Sequence, residues 1–220
     1  MTDVAPPGDG LTVVKLGGSF AFSPLLGGML DAIVAARGAL VIVAGGGPFA
    51  DTVRDAQPRM RFDDRAAHKM ALLAMAQFAE AICCHAPRLR ASAGVQAIRA
   101  ATVAGSVAVW SPWPLRDGLE ALPASWDLTS DSLAAWLAGR LGARRLFLLK
   151  HRDPPAHAIT LQQAADAGLV DPLFPRYARQ SGAAVRWLGP SHLPALTDIL
   201  DGREAGGLPL ADAARQCLPA

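Results

Sequence analysis

Short, solidly apolar runs alternate along this chain with longer stretches in which apolar residues recur every three or four positions. The runs at 11–16, 39–44, 107–110, 144–150 and 184–188 are rich in Val, Ile and Leu. They are short enough for strands, and their lack of polar alternation is that of strands covered on both faces. The helical stretches fall between them. Ser23 and Pro24 open one that runs to about Arg37 and stops at Gly38. Pro48 opens a second, to about Ala56, and residues 64–85 form a long third that ends before Pro87. Residues 130–141 form a fourth, closed by Gly142. Thr160 with Gln163 makes a capping-box start, Asp171 and Pro172 cap a helix ending near Gly182, and residues 193–200 form the last helix. Residues 57–63, polar and interrupted by Pro58, read as a loop. Residues 88–106 read as a short helix and a turn, 115–122 as a turn or two of helix, and the chain past 200 as a glycine-containing tail.

This alternation predicts an α/β fold, a three-layer αβα sandwich around a mainly parallel central sheet. Ligands of such sheets collect at the carboxyl ends of the strands. The polar loops after Lys15, Ala44, Trp110 and Lys150 would share that edge.

Composition narrows the picture. The chain has 220 residues, 51% of them apolar and 18% charged, which suits one large domain, 1–220, with a soft boundary near Pro123. A net charge of +2 gives no case for nucleic acid. No apolar run reaches the roughly 18 residues of a membrane span, and the first residues lack a signal-peptide pattern, so a cytoplasmic protein is expected. Cys83, Cys84 and Cys217 have neither disulfide-framework nor zinc-ligand spacing, in keeping with a reducing compartment and no protein-held metal.

Candidate chemistry starts at Gly45-Gly46-Gly47-Pro48, where a buried strand runs into glycines and then a helix. Glycines let a ligand approach bare main chain, and the free N–H groups of a helix start attract an anion; the same residues would also serve as a plain tight turn. Lys15 precedes a second glycine turn, Gly17-Gly18-Ser19, and Lys150 ends a later strand. Of 21 basic residues only Lys15, Lys69 and Lys150 are lysine, so a compact ammonium at two strand ends stands out from the arginines elsewhere. Asp131 opens the helix at 130–141; it or Ser130 would serve as a cap, or its carboxylate would sit between the two lysines and leave their charge on a substrate. His68 and Lys69 start the long helix and, as neighbours, diverge by about 100°, so one can face a ligand and the other solvent. Neither the P-loop nor the dinucleotide glycine pattern is present. Two ammonium groups and two glycine turns at one sheet edge suit phosphoryl transfer, which asks of a protein mainly alignment and charge neutralisation.

Taken in order, Lys15-x-Gly-Gly-Ser, the strand into Gly45-Gly46-Gly47-Pro48-Phe49-Ala50, and Thr129-Ser130-Asp131-Ser132-Leu133-Ala134 resemble the amino-acid kinase superfamily over almost the full chain. Ala67-His68-Lys69-Met70-Ala71, the run from Trp126 to Leu133, Phe174-Pro175 and Asp198-Ile199-Leu200 are similar to its kinases of furan-cofactor synthesis, which act on [5-(aminomethyl)furan-3-yl]methyl phosphate on the way to methanofuran or methylofuran. The resemblance implies ATP and Mg²⁺ as cofactors and a phosphorylated small acceptor. It implies that Lys15 and Lys150 stabilise the moving phosphoryl group and that Asp131 organises them. Gly45, Gly46 and Gly47 would hold the acceptor phosphate, with His68, Asp127, Thr129 and Ser130 also on the substrate side. Gly17, Gly18 and Ser19 would join the two lysines on the nucleotide side. Residues 1–122 would form the acceptor half and 123–220 the nucleotide half. A homo-oligomer is expected, with the helices at 24–37 and 64–85 as its candidate contacts. Where many members carry a Val-Asp-Gly-Val/Ile-Tyr-like run beside the nucleotide, this chain has Lys150-His151-Arg152-Asp153-Pro154-Pro155. UMP and isopentenyl phosphate are alternative acceptors within the class, and a nucleotide- or oxyanion-storing protein is the non-catalytic alternative.

Overall fold

The computed structural model describes residues 10–212; the residues read for a leader and Cys217 lie outside that range. The strands are β1 (Thr12–Leu16), β2 (Leu40–Ala44), β3 (Leu89–Ser92), β4 (Val107–Trp110), β5 (Arg145–Leu149), β6 (Ala184–Leu188) and β7 (Leu208–Leu210). They form a 7-stranded sheet in the order β3-β4-β2-β1-β5-β6-β7. Every neighbouring pair is parallel except β6 and β7. The α-helices among the described residues are α1 (Leu25–Ala35), α2 (Gly47–Met60), α3 (Asp64–Cys83), α4 (Val95–Val103), α5 (Ser130–Leu141), α6 (Leu161–Asp166), α7 (Phe174–Ser181) and α8 (Leu196–Leu200).

The two-residue period of the strands sorts their side chains between two apolar cores. Val13, Val41, Val43, Leu146 and Leu148 pack with Leu133 and Leu137 of α5 and Phe174 of α7. Val14, Leu16, Ile42, Phe147 and Leu149 pack with Met29 and Ile33 of α1 and Ile199 and Leu200 of α8. This is the αβα sandwich expected from the sequence. The same parity decides where the edge lysines go: Lys15 follows Val13 and Lys150 follows Leu148, so both belong to the α5 side.

Strand order supplies the second constraint. From β1 the chain forms β2, then the edge strand β3, comes back to insert β4 between them, and finally places β5 on the other flank of β1. The order reverses between β1 and β5, the point of a parallel sheet at which a crevice opens. Lys15 and Lys150 stand at the carboxyl ends of those two strands. The connection containing Pro123 links the two flanks.

Four stretches differ from the sequence expectation. Helix α2 does not stop at Ala56 but runs through Pro58 to Met60. Pro58 is exposed near the carboxyl end, so only one helical hydrogen bond is lost, on the solvent side. Arg61 then closes the helix in the left-handed conformation, φ 59, its N–H donating to Gln57 O at 2.8 Å. Strand β3 lies where only helix and turn were expected; as an edge strand it buries just its first and last residues and carries no apolar run. Strand β7, in the expected tail, contains Pro209, which an edge position tolerates. The helix expected over 193–200 is a 3₁₀ segment, Pro190–Ala195, before α8.

The glycine turns after β1 and β2 are pressed together. A Cβ on Gly18 would lie 2.4 Å from Gly47 N, and one on Gly45 would lie 2.5 Å from Gly18 N. Gly47 has φ +53, a conformation that side chains resist. Main chain therefore packs on main chain here, in addition to leaving amides exposed. Gly18→Ala is expected to lower stability by about 1–3 kcal/mol through overpacking. Gly27→Ala in α1, where the new methyl would meet only His85 Cε1 at 3.9 Å, should instead raise it by about 0.5–1 kcal/mol. Paired thermal or urea melts check both signs.

Candidate active site

Lys15 is 5% exposed, and its Nζ lies 2.9 Å from Oδ1 of Asp131. Lys150 places its Nζ 2.7 Å from Oδ2 of the same carboxylate. Asp131 is itself 5% exposed and sits in the first turn of α5, where the helix dipole favours a negative charge. Burial by itself would raise the Asp131 carboxyl, but the two ammonium groups overcome it and hold the group down to about 2. Burial, then the charge of Lys15, pushes Lys150 down to about 8, with Asp131 working against both. At neutral pH the cluster is one anion between two cations and carries a surplus positive charge.

That depressed ammonium gives a pH signature. If the Lys150 ammonium is what meets an anionic substrate, kcat/KM, which reports the free protein, should fall above about pH 8. An anion bound at the cluster would stabilise the ammonium and should move the corresponding limb of kcat to higher pH. Lys150→Arg, whose guanidinium stays charged throughout this range, should abolish the limb. A pH profile of both parameters checks this.

The start of α5 is held from outside. Asp171 Oδ2 accepts from Thr129 N at 3.0 Å, Thr129 Oγ1 at 2.8 Å and Ser132 N at 3.0 Å, while Oδ1 accepts from Ser132 Oγ. Asp171 is thus not the cap of the helix that follows it; Leu173 occupies that place in α7. The physical reason is that Thr129 gives α5 no side-chain cap of its own, and Asp171 satisfies those first-turn amides instead. Burial and the charge of Asp131 raise the Asp171 carboxyl. Sequence reading missed this residue as part of the site.

Beside the cluster lies a cavity of about 280 Å³. Gly18, Ser19, Gly45, Gly46, Gly47, His68, Thr129 and Ser130, all expected at a site, line it. At the start of α2 the N–H groups of Gly46, Gly47 and Phe49 have no partner within the helix, and Pro48 has none to offer. Ala67, Ala71 and Leu72 of α3 supply an apolar wall. His68 lies in the wall while its neighbour Lys69 is exposed. Burial lowers the His68 pKa, keeping the ring neutral, and its Nε2 is shielded from solvent without a hydrogen-bond partner among the described residues.

Sequence reading did not assign roles to Asp51 and Arg54, which also line the cavity. Arg54 lies 4.4 Å over the Trp126 ring and 3.1 Å from Asp51 Oδ1. Helical spacing from the glycine turn is the signal that places them on this face of α2. Two expected participants are elsewhere. Asp127 is exposed and absent from the lining; its main chain is engaged instead, its carbonyl accepting from Leu173 N at 3.1 Å. The loop after Trp110 does not join the cavity either: Ser111, Pro112 and Pro114 line a separate depression with Gly94 and Asp117, because β4 lies beyond β2 from the crevice.

On the other flank, Gly17 N donates to Leu149 O at 3.1 Å, tying the first glycine turn to β5. His151 Nδ1 lies 2.9 Å from Ser19 Oγ. The rest of that loop is stitched to the end of β6: Trp187 Nε1 donates to Arg152 O at 3.2 Å, and Asp153 Oδ1 accepts from Ser191 N at 2.9 Å and Ser191 Oγ at 2.7 Å.

Fold and site together define an α/β protein with an anion-directed centre at the carboxyl edge of a parallel sheet. The chain belongs to the amino acid kinase family, whose model matches residues 10–153. A curated relative, the [5-(aminomethyl)furan-3-yl]methyl phosphate kinase of Methanocaldococcus jannaschii, is 25% identical over 202 residues, covering 87% of this chain and 93% of the relative. Among solved structures the fold is similar to the uridylate kinase of Archaeoglobus fulgidus, with a TM-score of 0.69 and 16% identity over 91% of this chain and 99% of that one. It is similar also to the UMP kinase of Ureaplasma parvum, with a TM-score of 0.71 and 14% identity over 93% and 100% of the two chains.

Proposed function

We propose that this protein is an ATP-dependent kinase that transfers the γ-phosphoryl group to the phosphate of a small acceptor, [5-(aminomethyl)furan-3-yl]methyl phosphate, to give its diphosphate. The observation that carries the reading is the Lys15–Asp131–Lys150 cluster at the reversal point of the sheet, beside a glycine-walled cavity. An acceptor phosphate oxygen attacks the γ-phosphorus, and the bond from that phosphorus to the β,γ-bridging oxygen breaks, releasing ADP. Lys15 and Lys150 neutralise charge on the moving group while Asp131 keeps both tips in place. The free amides of Gly46 and Gly47 hold the acceptor phosphate beside Gly45, whose own N–H donates to Leu16 O at 2.8 Å, with Thr129 and Ser130 on the same side. Gly17, Gly18, Ser19 and Lys150 border the nucleotide; residues 1–122 chiefly serve the acceptor and 123–220 the nucleotide, with Gly17 to Ser19 crossing over from the first half and Thr129 and Ser130 from the second.

Among the described residues no group of three or more His, Cys, Asp or Glu side chains is placed to hold a metal ion. Both oxygens of Asp131 already face ammonium groups. Mg²⁺ therefore fits as a partner of the nucleotide phosphates rather than as a protein-held ion, and supplies charge neutralisation there. No helix among the described residues is long and apolar enough to cross a membrane, which accords with a cytoplasmic enzyme. Met70 and Leu73 on α3 are 37% and 38% exposed, and a homo-oligomer joined through that helix would cover them.

The acceptor assignment rests on the curated relative and on the sequence features around His68 and Trp126. ADP release measured with the furan phosphate, UMP and isopentenyl phosphate tests it. Turnover with the furan phosphate at least about tenfold above the others is expected. Preference for either of the others would overturn the acceptor, and tight nucleotide binding with no ADP release for any acceptor would favour a storage protein.

A further inference from the structure

The two ends of the cavity differ in hydrogen-bonding character. At the glycine turns the wall offers donors, the amides at the start of α2. At the start of α3 it offers acceptors. Asp64 and His68 are one helical turn apart, on the same face of α3 and in the same wall. Asp64 is oriented by a relay. An indole N–H can only donate, so Trp126 Nε1, at 2.7 Å, fixes the Gln57 amide with its oxygen toward the ring. The amide nitrogen is thereby turned to Asp64 and donates to its Oδ1 at 2.8 Å. Among the described residues Oδ2 of Asp64 has no hydrogen-bond or ion-pair partner.

Of the charged residues that line the cavity, the others cancel. Arg54 is paired with Asp51 and lies over Trp126. His68 is neutral at pH 7 because burial disfavours its charged form, so it does not repel a cation. Asp63, next in sequence to Asp64, is occupied as the cap of α3, its Oδ1 accepting from Ala66 N at 2.8 Å. Asp64 is thus the carboxylate of the wall left uncompensated, with Ala67 and Ala71 between it and the rest of the α3 wall.

We infer that Asp64, oriented by Gln57 and Trp126, is the specificity residue for a cationic amine on the acceptor, so that the site selects small phosphomonoesters bearing a primary ammonium at the end remote from the phosphate. The inference rests on the proposal that the glycine turns hold the acceptor phosphate. An ammonium supplies the donors that this end of the wall lacks and the charge that balances Asp64. A neutral hydroxyl supplies a donor without the charge. A pyrimidine base offers carbonyl acceptors as well as a donor, and acceptors have no match at Asp64.

The test compares [5-(aminomethyl)furan-3-yl]methyl phosphate with its hydroxymethyl analogue, by calorimetric binding and by ADP release, on the wild-type chain and on Asp64→Asn. Asparagine still accepts from Gln57 but carries no charge, and position 64 is exposed enough to accommodate it. The wild type should bind the amine about tenfold or more tightly than the hydroxyl compound, the effect of one charged hydrogen bond. Asp64→Asn should bring the two within about twofold by weakening the amine alone, and Asp64→Glu should restore part of the preference. Equal binding by the wild type, or an equal loss of both ligands in Asp64→Asn, would overturn the inference. Turnover of both ligands without preference would leave the kinase proposal standing. Preference in binding with no ADP release would do the reverse, and binding of neither ligand would end both.

Discussion

Lys150→Ala is expected to lower kcat by roughly 10²–10⁴, the range found when a charge-stabilising group is removed from a transfer site. The reason is a count of charges. Two ammonium groups share one carboxylate at 2.9 and 2.7 Å, so the cluster has one positive charge to spare. Removing either lysine leaves a closed ion pair with nothing left over for a phosphoryl group. Lys15→Ala should therefore cost about as much as Lys150→Ala, and the double variant should cost far less than the product of the two. Steady-state rates, with circular dichroism to show that each variant is folded, check the series. A Lys150→Ala enzyme within about threefold of wild type would show that the surplus charge is not used.

The second large effect is on stability. Asp131→Asn leaves two ammonium groups facing each other in a site almost without solvent, and an uncompensated buried charge costs about 3–5 kcal/mol. For a chain of this size that corresponds to a fall in Tm of roughly 10 °C. The folded-state pKa of Asp131, about 2, lies below the ordinary carboxylate value. The stabilisation is therefore fully present above the unfolded-state pKa and is lost as pH falls through about 2. The gap between wild type and Asp131→Asn should be full at pH 7 and narrow progressively in acid. Inorganic triphosphate should raise the Tm of the variant more than that of the wild type, because an anion then takes over the missing charge. Melts over a pH series with and without triphosphate separate this from a simple packing defect, and an unchanged Tm for Asp131→Asn would contradict the pairing.

Much of this was readable in the chain. Solid apolar runs marked the central strands because burial on both faces leaves no room for polar alternation. The two-residue period ties Lys15 to the face of Val13 and Lys150 to that of Leu148, but only the register of β1 on β5, with Lys15 opposite Leu148, makes the two faces one. What escaped were features whose cause lies far off in the chain. Strand β3 carries Arg90 and β7 carries Pro209, since an edge strand is set by the neighbour it pairs with and not by its own hydrophobicity. Pro58 looked like a stop, yet helix α2 passes it because the lost hydrogen bond falls near the helix end and toward solvent. Asp171 looked like a local cap beside Pro172; only the folded chain brings its carboxylate to Thr129 and Ser132. Of the carboxylates near the site, Asp63, Asp64 and Asp127 were indistinguishable in sequence. The structure separates them by their partners: a helix cap, a cavity wall and an exposed loop.

The central claim is that the two lysine tips and the glycine amides hold the two phosphates that react. A crystal structure with a non-hydrolysable ATP analogue, Mg²⁺ and [5-(aminomethyl)furan-3-yl]methyl phosphate tests it most directly. The γ-phosphate is expected within hydrogen-bond reach of both Lys15 Nζ and Lys150 Nζ, with the acceptor phosphate on the amides of Gly46 and Gly47 and an oxygen aligned on the γ-phosphorus. A γ-phosphate out of reach of both lysines, or an acceptor phosphate away from the glycine turn, would contradict it.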